Sequence, residues 1–152
     1  MRGTYTATYK INALNSARTL MYVTAAATHV VELVQVRLGN ASEETNTQFE
    51  ACLQRVNALG TPTATTVTPA KDEAGDQAAV AVVKANVTAS EPTYVAGTEV
   101  GWDGEASLAG YLYEPPPELR PIVAPGATWG LRLLSTPPAF DAIVRIRFRE
   151  IG

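Results

Sequence analysis

The last stretch of the chain, residues 141–152, reads DAIVRIRFREIG and alternates between apolar and cationic side chains. The apolar residues hold the even positions and the arginines the odd ones: Ala142, Val144, Ile146 and Phe148, and Arg145, Arg147 and Arg149. A period of two predicts a β-strand with one face in a core and the other toward water or a partner. The arginine face is therefore a candidate interface.

The same period recurs along the chain and predicts further strands. Residues 5–11 alternate Tyr, Ala and Ile with Thr and Lys, a composition that suits a pleated surface. Residues 29–38, HVVELVQVRL, carry apolar residues at both parities, which indicates a central strand covered on both faces. Shorter strands are predicted at residues 18–25, 94–100, 108–113, 122–123 and 129–133, with Trp129 on a core face.

The spacing of these strands predicts the fold class. About eight or nine short strands, separated by Gly/Pro turns every 8–12 residues or so, are typical of an antiparallel β-sandwich or jelly roll. We expect a single all-β domain over residues 1–152 with at most one short helix. Within it we expect an N-terminal strand or arm over residues 1–28 and an extended Thr/Pro and acidic loop over residues 60–76.

Residues 48–59, QFEACLQRVNAL, fit two kinds of element. Phe49, Leu53 and Val56 recur near helical spacing, whereas Phe49, Ala51 and Leu53 fit one face of a strand. Strands on both sides and the Thr/Pro-rich stretch that follows favour a strand. We predict a strand here and leave a helix as the alternative.

Residues 76–86 carry the signals of a short helix. Asp76 stands where an N-cap would be, before an Ala-rich stretch, and Asn86 stands where a helix would end. These positions predict a helix of about two turns. A valine-rich strand is the alternative.

Composition argues against several classes of function. Hydrophobic residues make up 46% and charged residues 18% of the chain, which are globular values, and the net charge of −3 argues against nucleic-acid binding. Cys52 is the only cysteine and His29 the only histidine, so we expect no metal site, no cofactor and no enzymatic activity. We expect synthesis in a cytoplasm and no membrane partner, because the chain shows neither an apolar leader nor a run of about 18 apolar residues.

One aromatic residue stands apart from the predicted strands. Trp102 lies in GWDGE, residues 101–105, which we interpret as a turn. A tryptophan in a turn is a candidate for contact with a ligand or a neighbouring protein. We therefore add Trp102 to Arg145, Arg147 and Arg149 as a candidate interface residue.

Three stretches of the sequence resemble a known family. They are NTQFEACLQRVNALGTPTATTVTPAKDEAGDQAA (46–79), EPTYVAGTEVGW (91–102) and ELRPIVAPGATWGLRLLSTPPAFDAIVRIRFREIG (118–152). In their order and motifs they resemble a family of small β-rich proteins encoded in the structural regions of tailed bacteriophages. No catalytic residue can be carried over, since the family pattern includes none.

The resemblance implies a virion structural protein, in particular a capsid decoration (cement) protein that stabilises a phage head. The partners it implies are the major capsid protein or other virion proteins, together with further copies of the chain in a homotrimer. The alternative is a tail-tip or fibre-associated module that contacts a host glycan or protein. Exposed aromatic residues would favour that alternative, and Trp102 is the one candidate.

Overall fold

The computed structural model describes residues 3–42, 48–106 and 109–152. These residues form two antiparallel sheets packed face to face, so the predicted all-β sandwich is confirmed. Their only helical element is a single 3₁₀ turn, Pro117–Leu119. The strands are β1 (Gly3–Leu14), β2 (Thr19–Thr24), β3 (Val30–Asn40), β4 (Gln48–Ala58), β5 (Thr63–Val67), β6 (Ala70–Lys71), β7 (Val82–Ala89), β8 (Thr93–Tyr94), β9 (Val100–Ala106), β10 (Tyr111–Tyr113), β11 (Ile122–Val123), β12 (Thr128–Leu133) and β13 (Phe140–Ile151).

The terminal strand lies in the middle of the first sheet, which we call sheet A. Its order is β10–β3–β13–β1–β6, with β11 also pairing β3. Strand β13 pairs β1 from Phe140 to Glu150 and β3 from Ala142 to Ile151. Val144, Ile146 and Phe148 are completely buried, as the alternating pattern predicts.

The second sheet, sheet B, has the order β5–β7–β2–β12–β4–β8, and β9 also pairs β4. The core lies between the two sheets. Phe49 of sheet B stacks on Phe140 of sheet A with ring centroids 6.1 Å apart, and Tyr5 packs against Phe148 at 5.6 Å. The predicted strand at residues 48–59 is confirmed as β4, because Phe49, Ala51 and Leu53 all face this core.

The predicted helix at residues 76–86 is wrong, and its strand alternative is right. Val82–Ala89 forms β7, between β2 and β5. Asp76 does not cap a helix. Its carboxylate instead accepts a hydrogen bond from the Thr4 amide at 3.3 Å. Asn86 takes a left-handed conformation (φ 57°) within the strand. Burial of Val83, Ala85 and Val87 outweighs the local helix signals.

Three segments belong to the sheets: one expected as a loop, one expected as a strand or arm, and one expected as a turn. The expected loop at 60–76 contains β5, which pairs β7, and β6, which pairs β1. The described residues of the N-terminal region place β1 along β13 and β2 between β7 and β12, so they form strands of the sandwich. The expected turn at 101–105 lies in β9, where Gly101 has φ +58°.

The remaining predicted strands are matched more closely. Residues 18–25 contain β2, and the edge strand at 122–123 is β11. The strand expected over 94–100 is divided between β8 and β9, and only Tyr111–Tyr113 of the stretch 108–113 forms β10, with Leu108 outside the described residues.

Strand β3 is inside sheet A, as predicted, but it is not covered on both faces. Its pairing with β13 shifts between Leu33 and Gln35, which inserts Val34 as a β-bulge. Val31 and Leu33 face the core before the bulge, and Val36 and Leu38 face it afterwards. The bulge thus explains apolar residues at both parities and turns Gln35 and Arg37 outward.

Candidate functional site

The three arginines of β13 project from the outer face of sheet A. Arg145 and Arg147 are exposed and Arg149 is half-buried, while their even-numbered neighbours are buried. The predicted candidate face therefore exists. The surroundings of the three side chains differ, and the difference decides which of them can meet a partner.

Arg149 is neutralised within the chain. Its Nε lies 2.8 Å from Oε2 of Glu32 on β3, and its Nη2 also contacts that oxygen. Nη1 of Arg120 donates to the other carboxylate oxygen at 3.0 Å. Burial favours a higher pKa for Glu32, but hydrogen bonds and charges from both arginines outweigh it and hold the pKa below the ordinary value.

Arg147 is also paired within the chain. Its Nε lies 2.7 Å from Oδ2 of Asp72, in the turn that follows β6. Oδ1 of the same carboxylate accepts a hydrogen bond from the Thr6 hydroxyl at 2.9 Å. Arg147 is therefore held by a carboxylate of its own chain.

Arg145 has a different environment. Its cross-strand neighbours are Thr8 on β1 and Arg37 on β3, and Arg37 is exposed on the same face. Within the described ranges neither Arg37 nor Arg145 has a carboxylate in ion-pair contact. Like charges directly opposite each other destabilise a sheet, so this pair is suited to an anion from outside the described structure.

A depression lies beside the two arginines. Gly39 follows Arg37 on the outer face and stands opposite Ile143. Because Gly39 has no side chain, a hollow of about 220 Å³ opens between Arg37, Gly39, Asn40, Ile143 and Arg145. A second hollow, of about 350 Å³, continues across β3 toward β10.

Asn40 borders both hollows, but its side chain does not open into them. It stands opposite the buried Ala142, so it lies with Leu38 on the inner face of sheet A, whereas Arg37 and Gly39 lie on the outer face. Its Oδ1 accepts hydrogen bonds from the Ser42 amide at 2.8 Å and the Ser42 hydroxyl at 2.9 Å, and its Nδ2 is buried.

Apolar side chains border the basic pair. Ile143 is 37% exposed, and Leu112, which stands opposite Arg37 on β10, is 59% exposed. We call the surface formed by Arg37, Arg145, Ile143 and Leu112 the basic patch. A charged centre beside exposed apolar groups is a combination found at protein interfaces.

Trp102 is not part of the basic patch. It is 59% exposed on β9, which belongs to sheet B, so the structure places it and the arginines on different sheets. Its predicted exposure is confirmed, but its predicted position in a turn is wrong.

Sequence reasoning found Arg145 and missed Arg37. The β-bulge at Val34 changes which positions of β3 face outward, so residues 30–38 have apolar side chains at both odd and even positions. For this reason the sequence pattern did not identify the outward-facing residues. The alternation of Gln35 and Arg37 with Val36 and Leu38 was the available signal. It becomes useful only with the β3–β13 register.

The histidine lies just before β3 and the cysteine on β4. Nδ1 of His29 lies 2.8 Å from the Thr28 hydroxyl. Cys52 is completely buried, and burial raises the pKa of its thiol to about 11. Among residues 3–42, 48–106 and 109–152, no three His, Cys, Asp or Glu side chains are grouped to hold a metal ion. No helix in these ranges is long and apolar enough to cross a membrane.

No protein-family model, curated protein or solved structure matches this chain. The interpretation of the basic patch therefore rests on its own geometry.

Proposed function

We propose that this protein is a non-enzymatic structural component of a tailed-phage virion, a capsid decoration protein that binds the shell through the basic patch. The observation that carries the proposal is the Arg37–Arg145 pair, placed side by side without a carboxylate in the described structure. The resemblance of residues 46–79, 91–102 and 118–152 to phage structural proteins supports the biological setting. The proposal includes assembly as a homotrimer on the particle.

Rigidity supports the choice of this face. Arg37 and Arg145 lie on the two central paired strands β3 and β13, so their backbones are fixed before a partner arrives. A preorganised surface loses little conformational entropy on binding. Two guanidinium groups opposite an acidic surface of the major capsid protein would fix the orientation of docking and accelerate it.

The apolar border supports a protein partner. Leu112 and Ile143 would lose exposed apolar surface against a neighbouring protein, and arginine is itself enriched at such contacts. A charged shell surface that also covers these two side chains would therefore match the whole patch.

A charge reversal tests the proposal. We expect Arg37→Glu/Arg145→Glu to melt like the wild type, because both side chains are exposed. Binding to undecorated capsids should fall by about tenfold or more, from the loss of charge-assisted contacts worth roughly 1.5–3 kcal/mol each. Wild-type binding should weaken as salt rises from low to moderate concentration.

Arg55→Glu/Lys84→Glu is the matched control. It changes the net charge equally but lies on sheet B, on β4 and β7. The control should bind capsids like the wild type. An equal loss of capsid binding in both double variants would indicate a general charge effect. Undiminished capsid binding by the Arg37/Arg145 variant would show that the basic patch is not the docking face.

The exposure of Trp102 supports the second candidate, a tail-tip or fibre-associated module. An aromatic side chain that is 59% exposed on an outer strand could stack on a sugar or insert into a host protein. Electron microscopy of the native particle separates the two functions. Density for this chain on the head supports decoration, and density confined to the tail tip supports the alternative.

A further inference from the structure

We propose that the depression at Gly39 is a carboxylate-binding site, in which Arg37 and Arg145 hold one Asp or Glu side chain of a protein partner. Its biological occupant, an acidic residue of the capsid, rests on the proposed function. Carboxylate binding itself can be measured on the free chain.

The first argument is the arrangement of the cations. Arg37 and Arg145 are directly opposite in the β3–β13 register, and such pairs have Cβ atoms about 4.5–5.5 Å apart. Each guanidinium presents a planar set of donors that matches the two oxygens of a carboxylate. One carboxylate between them would replace a repulsion by two attractions.

The second argument is the availability of the two guanidinium groups. Within the described ranges neither Arg37 nor Arg145 has a carboxylate in ion-pair contact, whereas Arg147 and Arg149 are each paired within the chain.

The third argument is the space at Gly39. A Cβ built there meets only the Ile143 carbonyl oxygen within 4 Å, at 3.9 Å, which is an ordinary contact. The backbone would therefore tolerate a side chain, yet the sequence leaves the position empty beside two arginines. The absent side chain opens the hollow of about 220 Å³.

The setting favours a carboxylate of a protein over a polyanion. The chain has a net charge of −3, which repels nucleic acid and other polyanions at long range. Ile143 and Leu112 border the arginines and would pack against the apolar part of a protein surface. A single Asp or Glu with apolar neighbours carries only one negative charge and can also cover Ile143 and Leu112.

The test is an NMR titration of the free protein at constant ionic strength. The probes are N-acetylglutamate amide, the neutral N-acetylglutamine amide and inorganic phosphate. We expect saturable shifts of the Gly39 backbone amide and of the Arg37 and Arg145 side-chain signals with the glutamate probe, and none with the glutamine probe. Phosphate should bind more weakly than the glutamate probe.

Variants locate the binding. Arg37→Gln and Arg145→Gln should each weaken binding of the glutamate probe by about tenfold, the effect of one lost charge-assisted bond. Gly39→Val should abolish it by filling the hollow. Arg147→Gln is the matched control, because Asp72 already holds that side chain, and it should change the affinity by less than about twofold.

Several outcomes would overturn the proposal. They are an absence of saturable shifts, equal shifts with the glutamate and glutamine probes, tighter binding of phosphate, or equal losses in Arg145→Gln and Arg147→Gln. The titration needs no capsid, so its failure with capsid binding intact would leave the decoration function standing. Carboxylate binding without capsid binding would refute the decoration function and leave the carboxylate-binding site standing.

Discussion

At the scale of single residues, Glu32 is a buried carboxylate on the outer face of sheet A. It is 4% exposed and contacts two arginines, Arg120 from the segment before β11 and Arg149 from β13. A buried carboxylate is tolerated only when hydrogen bonds and opposite charges replace its water. Arg149 is thus fixed by a partner on the neighbouring strand rather than left for an external one.

The lowered pKa of Glu32 predicts how stability depends on pH. The folded-state pKa lies below the ordinary 4.5, so this carboxylate contributes stability that is present above that value and is lost as pH falls through the folded pKa. Glu32→Gln should lower the free energy of unfolding at pH 7 by about 1.5–3 kcal/mol and flatten its decline below pH 4.5.

Urea denaturation at a series of pH values measures both effects. Glu114→Gln is a matched control, since Glu114 accepts an exposed hydrogen bond from Gln35 and should keep the wild-type profile. A Glu32→Gln profile parallel to that of the wild type would contradict this role.

At the scale of elements, β13 is the strand on which sheet A depends. It separates β1 from β3, and without it these two strands have no partner in common. Its inward carboxylate, Glu150, is completely buried and accepts hydrogen bonds from the Ala81 amide at 2.7 Å and the Val80 amide at 2.9 Å. The strand therefore also fixes the chain just before β7.

Deleting residues 142–152 should abolish the cooperative fold. Val144, Ile146 and Phe148 are each expected to contribute about 1.5–3 kcal/mol by burial, against a total stability of about 5–15 kcal/mol for a domain. We expect an insoluble or molten product without a cooperative thermal transition. Deleting only residues 151–152 is the control, because Ile151 is 40% exposed, and a cooperative melt should remain. A wild-type melt in the longer deletion would refute the prediction.

At the scale of the whole molecule, local pattern predicted the layers and missed the long-range pairings. β13 was predictable because its own alternation matches one buried face. Asp76 and Asn86 wrongly predicted the two ends of a helix. Residues 82–89 form a strand because they pair with β2 and β5, and this pairing is not visible in the local sequence.

The contacts of the candidate site were even harder to predict from the local sequence than the strands were. The carboxylates that neutralise Arg147 and Arg149 lie 75 and 117 residues away in sequence. No period within a strand could identify Asp72 or Glu32 as their partners. The opposition of Arg37 and Arg145 likewise follows from a register that includes a bulge. Residue type predicted an arginine face, and only the register shows which arginines remain available.

The β1–β13 pairing leads to a prediction about folding. Gly3 is opposite Glu150, so sheet A joins segments from opposite ends of the sequence, and its central pair forms only after a very long loop closes. Topologies dominated by such contacts fold slowly, in milliseconds to seconds. A circular permutant with a short Gly/Ser linker between the present ends, opened after the exposed Gly60, makes this pairing local. Shortening the loop recovers at most about 2–3 kcal/mol of closure entropy.

We expect the permutant to keep the wild-type spectrum and a cooperative melt, because chain ends that lie close together tolerate such joining. It should refold at least about threefold faster if β1 and β13 pair in the transition state. Stopped-flow fluorescence of Trp129, which packs against the core, measures the rate, with Trp102 replaced by Phe in both proteins. Equal refolding rates at equal stability would show that β1 and β13 pair only after the rate-limiting step.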